Sequence, residues 1–171
     1  GRAMPLILAR PRSQDLFHEA IQSVARTGVI AADYETTGLN PLKDRVTGVA
    51  LATDEKSWWI PVDGASWVTG LRVLFQSAPQ VVWWKSWFDL AWHPNLGLPI
   101  YDTHHDARIM WKMLEPFKWL GYLAGLKARG EHELGIPPMY FDGWDGVDDK
   151  YPRQDAEWTL KLYHLAKKML I

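Results

Sequence analysis

The 171 residues contain no cysteine. That removes disulfides and thiolate zinc sites, and makes a reducing compartment, the cytoplasm, the expected setting. No apolar run approaches the ~20 residues that span a bilayer, so no membrane partner is expected. The opening GRAMPLILARP has neither the long apolar stretch nor the cleavage signal of a secretory leader. Gly1 to Ala3 precede Met4 and read as a vector-derived remnant, with 1–12 as a whole an irregular N-terminus. The net charge is −1, so there is no global basic field to coat a polyanion through salt-driven contacts. Internal repeats, low-complexity tracts and long linkers are missing as well.

What is present is an ordinary globular composition, 47% hydrophobic and 23% charged. The length suits one domain with a real core, expected to span 1–171. The 11 tryptophans are expected to serve mostly in packing, with a minority available for stacking on nucleobases.

Residues 13–26 read as an amphipathic helix capped by Ser13, with Leu16, Phe17, Ala20, Ile21 and Val24 on one face and Gly28 as its stop. VIAADYE (29–35) has the length and apolarity of a central strand buried on both faces. GLNPLKD (38–44) is turn chemistry, and RVTGVALAT (45–53) and SWWIPV (57–62) read as a hairpin around DEK. A helix over 66–77 and a strand over 80–84 follow. A short helical stretch, 87–92, is broken by Pro94 and Gly97, and another extended segment ends near Tyr101. Helices are expected over 103–114 and 118–129, an irregular loop over 130–149, and a last helix from about Lys150 to the end. Strands paired as a meander, then alternating helices and strands, make an α/β layer fold with a mixed sheet.

Three carboxylate groupings carry chemistry. Asp33 and Glu35 stand two apart at the end of an apolar strand, so period-two geometry puts them on one face. Adjacent carboxylates repel, and one protonates unless a cation neutralises them. Magnesium or manganese, hard and oxygen-loving, is the natural choice. Taken alone, the pair reads as two solvated strand-end acids. In the last helix, Trp158, Leu162, Leu165 and Met169 form an apolar stripe, which Asp155 and Tyr151 extend toward the N-terminus. A buried carboxylate needs a metal or a donor. A capping acid near a helix N-terminus explains Asp155 but not its pairing with Tyr151. Pro152 sits in the first turn, where its missing N–H costs little. Asp89, in KSWFDLAWH, is surrounded by apolar side chains and is either a local cap or part of a polar site.

Together these segments resemble the 3′–5′ exonuclease domain of bacterial DNA polymerase I, within the DnaQ-like or DEDD superfamily. DYETTGL resembles the first motif, with Asp33 and Glu35 as its acids. KSWFDL resembles the second, with Asp89. YPRQDAEWTLKL resembles the third, with Tyr151 and Asp155. The hairpin ending in Ile-Pro-Val and the YDT at 101–103 agree in order and spacing, so the resemblance spans about residues 25–170. Tyr151 marks the tyrosine subclass, since Lys150 stands where the histidine subclass places His. Two positions depart from the pattern. Lys85 replaces a usual Asn and either contacts a phosphate or pairs with a site carboxylate and competes with metal. Tyr34 replaces a usual Thr and is expected to point to the opposite face from the acids.

The resemblance implies a ribonuclease H-like mixed sheet flanked by helices, and hydrolysis of phosphodiesters with two divalent ions, Mg²⁺ or Mn²⁺, about 3.5–4 Å apart. Asp33, Glu35 and Asp155 would hold one ion, Asp33 would bridge to the second, and Asp89 would hold that second ion directly or through water. Tyr151, with Glu35, would orient the attacking water. Leu39 resembles the apolar residue that wedges beside the terminal base, and reads equally as a turn-packing leucine. Thr36 and Lys85 complete the implied substrate contacts. The implied partner is a single-stranded DNA 3′ end, read through its backbone, with a separate DNA polymerase served by proofreading. Lys85, Arg108, Lys112, Lys118 and Arg153 are candidate backbone grips or else solvated charges. The chain is expected to be a free-standing exonuclease or an excised fragment, no polymerase domain following.

Other clusters read as surface chemistry. His104-His105-Asp106 on a helix would diverge rather than converge on zinc. Asp142, Asp145, Asp148 and Asp149 lack the ligand ladder of a calcium loop. Glu131, His132 and Glu133 look solvated. Two other readings stay open: a ribonuclease D-like RNA 3′ exonuclease, which shares Tyr-x-x-x-Asp, and a non-catalytic nucleic-acid-binding relative.

Overall fold

The computed structural model describes residues 12–115, 122–140 and 149–171. Helix α1 (Ser13–Thr27) leads into β1 (Val29–Thr36), β2 (Val46–Ala52) and β3 (Ser57–Pro61). Helix α2 (Ala65–Ser77) precedes β4 (Gln80–Trp83), and the short α3 (Ser86–Leu90) and α4 (His93–Leu96) precede β5 (His104–Asp106) and α5 (Ala107–Leu114). A single 3₁₀ turn at Tyr122–Ala124, then α6 (Leu126–Leu134) and α7 (Lys150–Leu170), follow. The strands form one sheet ordered β3-β2-β1-β4-β5. The β1–β2 and β2–β3 pairs are antiparallel, and β1–β4 and β4–β5 parallel. This is the α/β mixed sheet flanked by helices that the sequence implies.

Strand β1 is central because both its faces are apolar. Ile30, Ala32 and Tyr34 enter a core with Phe17, Ala20 and Val24 of α1 and Trp67, Leu71, Leu74 and Phe75 of α2. Val29 and Ala31 face the other way, with Ala50, Ala52 and Val82, toward Ala107, Trp111, Ala156, Leu160, Tyr163 and Ala166. Alanines dominate this second layer, which lets α7 lie close on the sheet. Asp33 and Glu35 continue the Val29–Ala31 face by period two, opposite Ala50 and Gly48 of β2. Gly48 makes room there for the Trp59 ring, which a Cβ would meet at 2.4 Å. The β1–β2 register shifts between Glu35 and Thr36, a bulge of the kind that re-aims side chains beside active sites.

The tryptophans serve mostly as core: Trp58, Trp67, Trp83, Trp84, Trp92, Trp111 and Trp158 are buried, whereas Trp87 is 65% exposed. Gly28 stops α1 in the left-handed region at φ 85°, and Pro152 falls in the first turn of α7, both as expected.

Several local expectations change. Ser13 does not cap α1. It is the first helical residue, and its hydroxyl and amide both donate to Asp63, at 2.6 and 2.9 Å. Pro94 does not break a helix but falls in the first turn of α4, where a missing N–H is tolerated. The extended segment lies at 104–106 rather than near Tyr101. Helix α5 begins only at Ala107, because the Asp106 carboxylate accepts the Arg108 and Ile109 amides as its N-cap. The helix expected over 118–129 falls partly outside the described residues. Its described part is the 3₁₀ turn and α6, which runs on to Leu134 instead of yielding to a loop at Gly130. Met169 is exposed, so the inner stripe of α7 ends earlier and is wider, taking in Ala156, Thr159, Leu160, Tyr163 and Ala166.

Candidate active site

The end of β1 and the second turn of α7 meet in a carboxylate cluster. One oxygen each from Asp33, Glu35 and Asp155 lies within 4.8 Å of the others. Tyr151, one helical turn before Asp155, is buried with it on the inner face of α7. The spacing of four thus does what the helical period requires. Thr159, one turn later, donates its hydroxyl to the Asp155 carbonyl at 2.7 Å.

Acids this close raise one another. Burial, then the charges of Asp155, Asp89 and Glu35, push Asp33 well above the usual carboxylate range. Burial and Asp155 push Glu35 up to about 7. Asp155 is raised by burial and held back by Lys127. Among the described residues, Lys127 offsets the cluster only in part. Hard oxygen donors converging without enough counter-charge are the donor set of a divalent cation, and the residues present fit one.

Asp89 stands beside this trio rather than in it. It is buried, and its Oδ1 accepts the Tyr34 backbone amide at 3.2 Å. Burial raises its carboxyl and the Tyr34 amide opposes the shift. The Tyr34 side chain points away from the acids, as expected, and its hydroxyl meets His93 Nε2 at 2.9 Å in the core.

The basic residue at the site is not Lys85. That residue has a left-handed backbone, φ 65°, and its exposed ammonium lies over the Trp87 ring, 5.5 Å from the centroid. No ion pair joins it to a site carboxylate among the described residues. Lys127 of α6 takes that place. Its Nζ is 3.4 Å from Asp155 Oδ1 and 5.3 Å from the centroid of the Tyr151 ring. Its charge lowers Asp33, Glu35 and Asp155 alike. Nothing in the local sequence marks Lys127, because its position depends on how α6 crosses α7.

Thr36 is engaged within its own loop, donating to the Gly38 carbonyl at 2.7 Å. Leu39 is 80% exposed, which removes the turn-packing reading. Arg108 donates to the Ala124 carbonyl, and Arg153 to Asp149 and Ser57, so both are engaged in internal contacts. Lys112 is exposed on α5. Lys118 lies outside the described residues.

His104 and His105 occupy the edge strand β5, not a helix, and therefore point to opposite faces. His104 Nδ1 accepts the Trp83 indole N–H at 2.9 Å, and burial, with the charges of neighbouring histidines, lowers it to about 4. Asp142, Asp145 and Asp148 lie outside the described residues, while Asp149 pairs with Arg153 at 3.0 Å. Glu131 and His132 are exposed, but Glu133 pairs with buried Arg129 at 3.3 Å.

A five-stranded mixed sheet with helices on both faces and acids at the end of its central strand defines the class of fold: ribonuclease H-like. Residues 9–124 match the 3′–5′ exonuclease family of the DNA polymerase A type, and the chain belongs to that family. The family uses divalent metals. The matched segment contains Asp33, Glu35 and Asp89 but ends before Lys127, Tyr151 and Asp155. No curated protein shows significant similarity to the chain.

Solved structures share the fold over nearly its whole length. The Aedes aegypti Nibbler EXO domain is 17% identical with a TM-score of 0.70, covering 91% of this chain and 85% of that one. Brucella melitensis NrnC with bound Mg²⁺ is 19% identical, TM-score 0.66, covering 85% of this chain and 74% of that one. Trypanosoma brucei RNase D in complex with RNA U12 is 15% identical, TM-score 0.67, covering 88% of this chain and 59% of that one.

Proposed function

We propose that the domain is a metal-dependent exonuclease that removes nucleoside monophosphates from single-stranded DNA 3′ ends. The convergence of Asp33, Glu35 and Asp155 within 4.8 Å carries the reading, with buried Asp89 beside them and Tyr151 one turn from Asp155. Asp33, Glu35 and Asp155 would hold a first divalent ion, and Asp33 with Asp89 a second, Mg²⁺ or Mn²⁺. NrnC, which shares the fold, was captured with Mg²⁺. Bound there, two such ions supply Lewis acidity toward the attacking water and stabilise charge on the scissile phosphate.

The chain's own groups orient the reaction. The Tyr151 hydroxyl and the Glu35 carboxylate would hold the attacking water in line. Leu39, 80% exposed on the loop that follows β1, would wedge beside the terminal base. Trp87 with Lys85 above its face offers a stacking surface of the sort that binds single strands without reading sequence. A separate DNA polymerase is the partner such an activity would proofread. RNA is the second reading, favoured by the fold shared with an RNase D captured on RNA U12.

The test of substrate is direct. Single-stranded DNA and RNA of the same sequence, each labelled at the 5′ end, are digested in parallel and their kcat/KM compared. A higher value on DNA supports the first reading, and a higher value on RNA replaces it with the second.

A further inference from the structure

We propose that Lys127 is a catalytic residue that binds the scissile phosphate. The inference rests on the exonuclease reading above and goes beyond its four acids and tyrosine.

Lys127 is presented by α6, whose position is heavily constrained. The neighbouring Arg129 side chain is 1% exposed and packs over Trp111, 4.7 Å from the ring centroid. Its guanidinium donates to the Leu123 carbonyl, Glu115 and Glu133 at 3.2, 2.7 and 3.3 Å. Gly130 lies directly on Trp158 of α7. Anchors at 129 and 130 fix the turn that carries residue 127, and leave the long lysine side chain 26% exposed at the site. Its Nζ sits 3.4 Å from Asp155 Oδ1, with the Tyr151 ring beneath it.

A counter-ion for Asp155 alone would be a sufficient role if the cluster had no other cation to accept. Charge balance assigns more. Asp33, Glu35, Asp89 and Asp155 carry four negative charges when ionised, which two divalent ions would cancel. The phosphodiester then adds one negative charge, and the pentacoordinate transition state one more. Lys127 is a full positive charge already at the rim of that cluster, on a flexible stem. Its remaining demand is a phosphate oxygen, and charge developing there is stabilised far more in a water-poor site than in solution.

The test compares Lys127→Met, which keeps bulk and removes charge, with Lys127→Arg, which keeps charge. Each is measured for kcat and KM on a single-stranded oligonucleotide, and for Mn²⁺ affinity by calorimetry without nucleic acid. The expected result is a fall in kcat of about 10²–10³-fold for Lys127→Met, a smaller change in KM, and partial recovery in Lys127→Arg. Mn²⁺ affinity should hold or rise, since a competing cation has gone. An active wild-type domain whose Lys127→Met variant keeps its kcat overturns the assignment and leaves Lys127 a counter-ion only. Weaker Mn²⁺ binding in Lys127→Met overturns it as well, by showing that the residue supports the metal site. An inactive wild-type domain overturns the exonuclease reading and this inference with it, and is told apart by the wild-type lane alone.

Discussion

Gly130 of α6 lies so close to Trp158 of α7 that a Cβ on the glycine would stand 2.1 Å from the indole Cε3. Three residues before each lie Lys127 and Asp155, 3.4 Å apart. The two contacts are one helical step from each other along the same pair of faces. The glycine therefore sets the distance at which α6 delivers its lysine to the acids.

Gly130→Ala separates this packing role from helix propensity. In an exposed helix interior the change would stabilise by about 0.5–1 kcal/mol. Here the methyl meets the middle of a buried ring, and the expected outcome is destabilisation by about 1–3 kcal/mol, read from urea unfolding. A stabilised variant would show that α6 does not rest on Trp158.

Tyr34→Phe removes the hydroxyl that meets His93 Nε2 at 2.9 Å and leaves a buried ring nitrogen without that partner. A loss of about 1–2 kcal/mol is expected. Because the side chain points away from the acids, nuclease rate and metal dependence should be unchanged. An altered metal requirement would place Tyr34 in the site.

Lys85→Asn tests the left-handed backbone at φ 65°. Asn tolerates this conformation better than Lys, so stability should rise by up to ~1 kcal/mol. Metal dependence should not move, since the lysine ammonium lies over Trp87. A sharply lowered Mg²⁺ requirement would mean that Lys85 enters the cluster after all.

Two opposed proton linkages act on the metal-free protein. His104 titrates at about 4 when folded and near 6.5 when unfolded. Between those values the unfolded chain holds the extra proton, so this group lowers stability as pH falls from 6.5 to 4. Glu35 is raised from 4.5 to about 7. In that range the folded state holds the extra proton, so stability falls as pH rises and the loss is complete above 7. Glu35→Gln in EDTA is therefore expected to be more stable than wild type by about 1–3 kcal/mol at pH 8, with the gap closing toward pH 4.5. Calorimetric Tm of wild type and Glu35→Gln across pH 4–8 reads the Glu35 linkage as their difference. A gap that does not vary with pH would remove the Glu35 linkage.

The acids were legible because local periodicity is enough to place them. Period two puts Asp33 beside Glu35, and a spacing of four puts Tyr151 beside Asp155. Strand β1 was legible as central because its apolar run ignores alternation. Strand β5 was not, since His104-His105-Asp106 carries no apolar signal and owes its pairing to β4. Of the two roles open to Lys85, the structure disfavours only the ion pair with a site carboxylate; its place over Trp87 was not legible because a left-handed residue, φ 65°, aims its side chain where neither helix nor strand geometry would. Lys127 was invisible because its contact spans 28 residues and depends on a glycine against a ring, which no local pattern records.

The most direct measurement follows a 5′-labelled single-stranded oligonucleotide with Mg²⁺, Mn²⁺ or EDTA, beside Asp33→Ala. The expected result is a ladder shortening from the 3′ end with either metal, absent in EDTA and in the variant. A folded wild-type domain that leaves the oligonucleotide intact with both metals, or an Asp33→Ala domain that still degrades it, would contradict the assignment of the Asp33, Glu35 and Asp155 cluster as a metal-dependent exonuclease site.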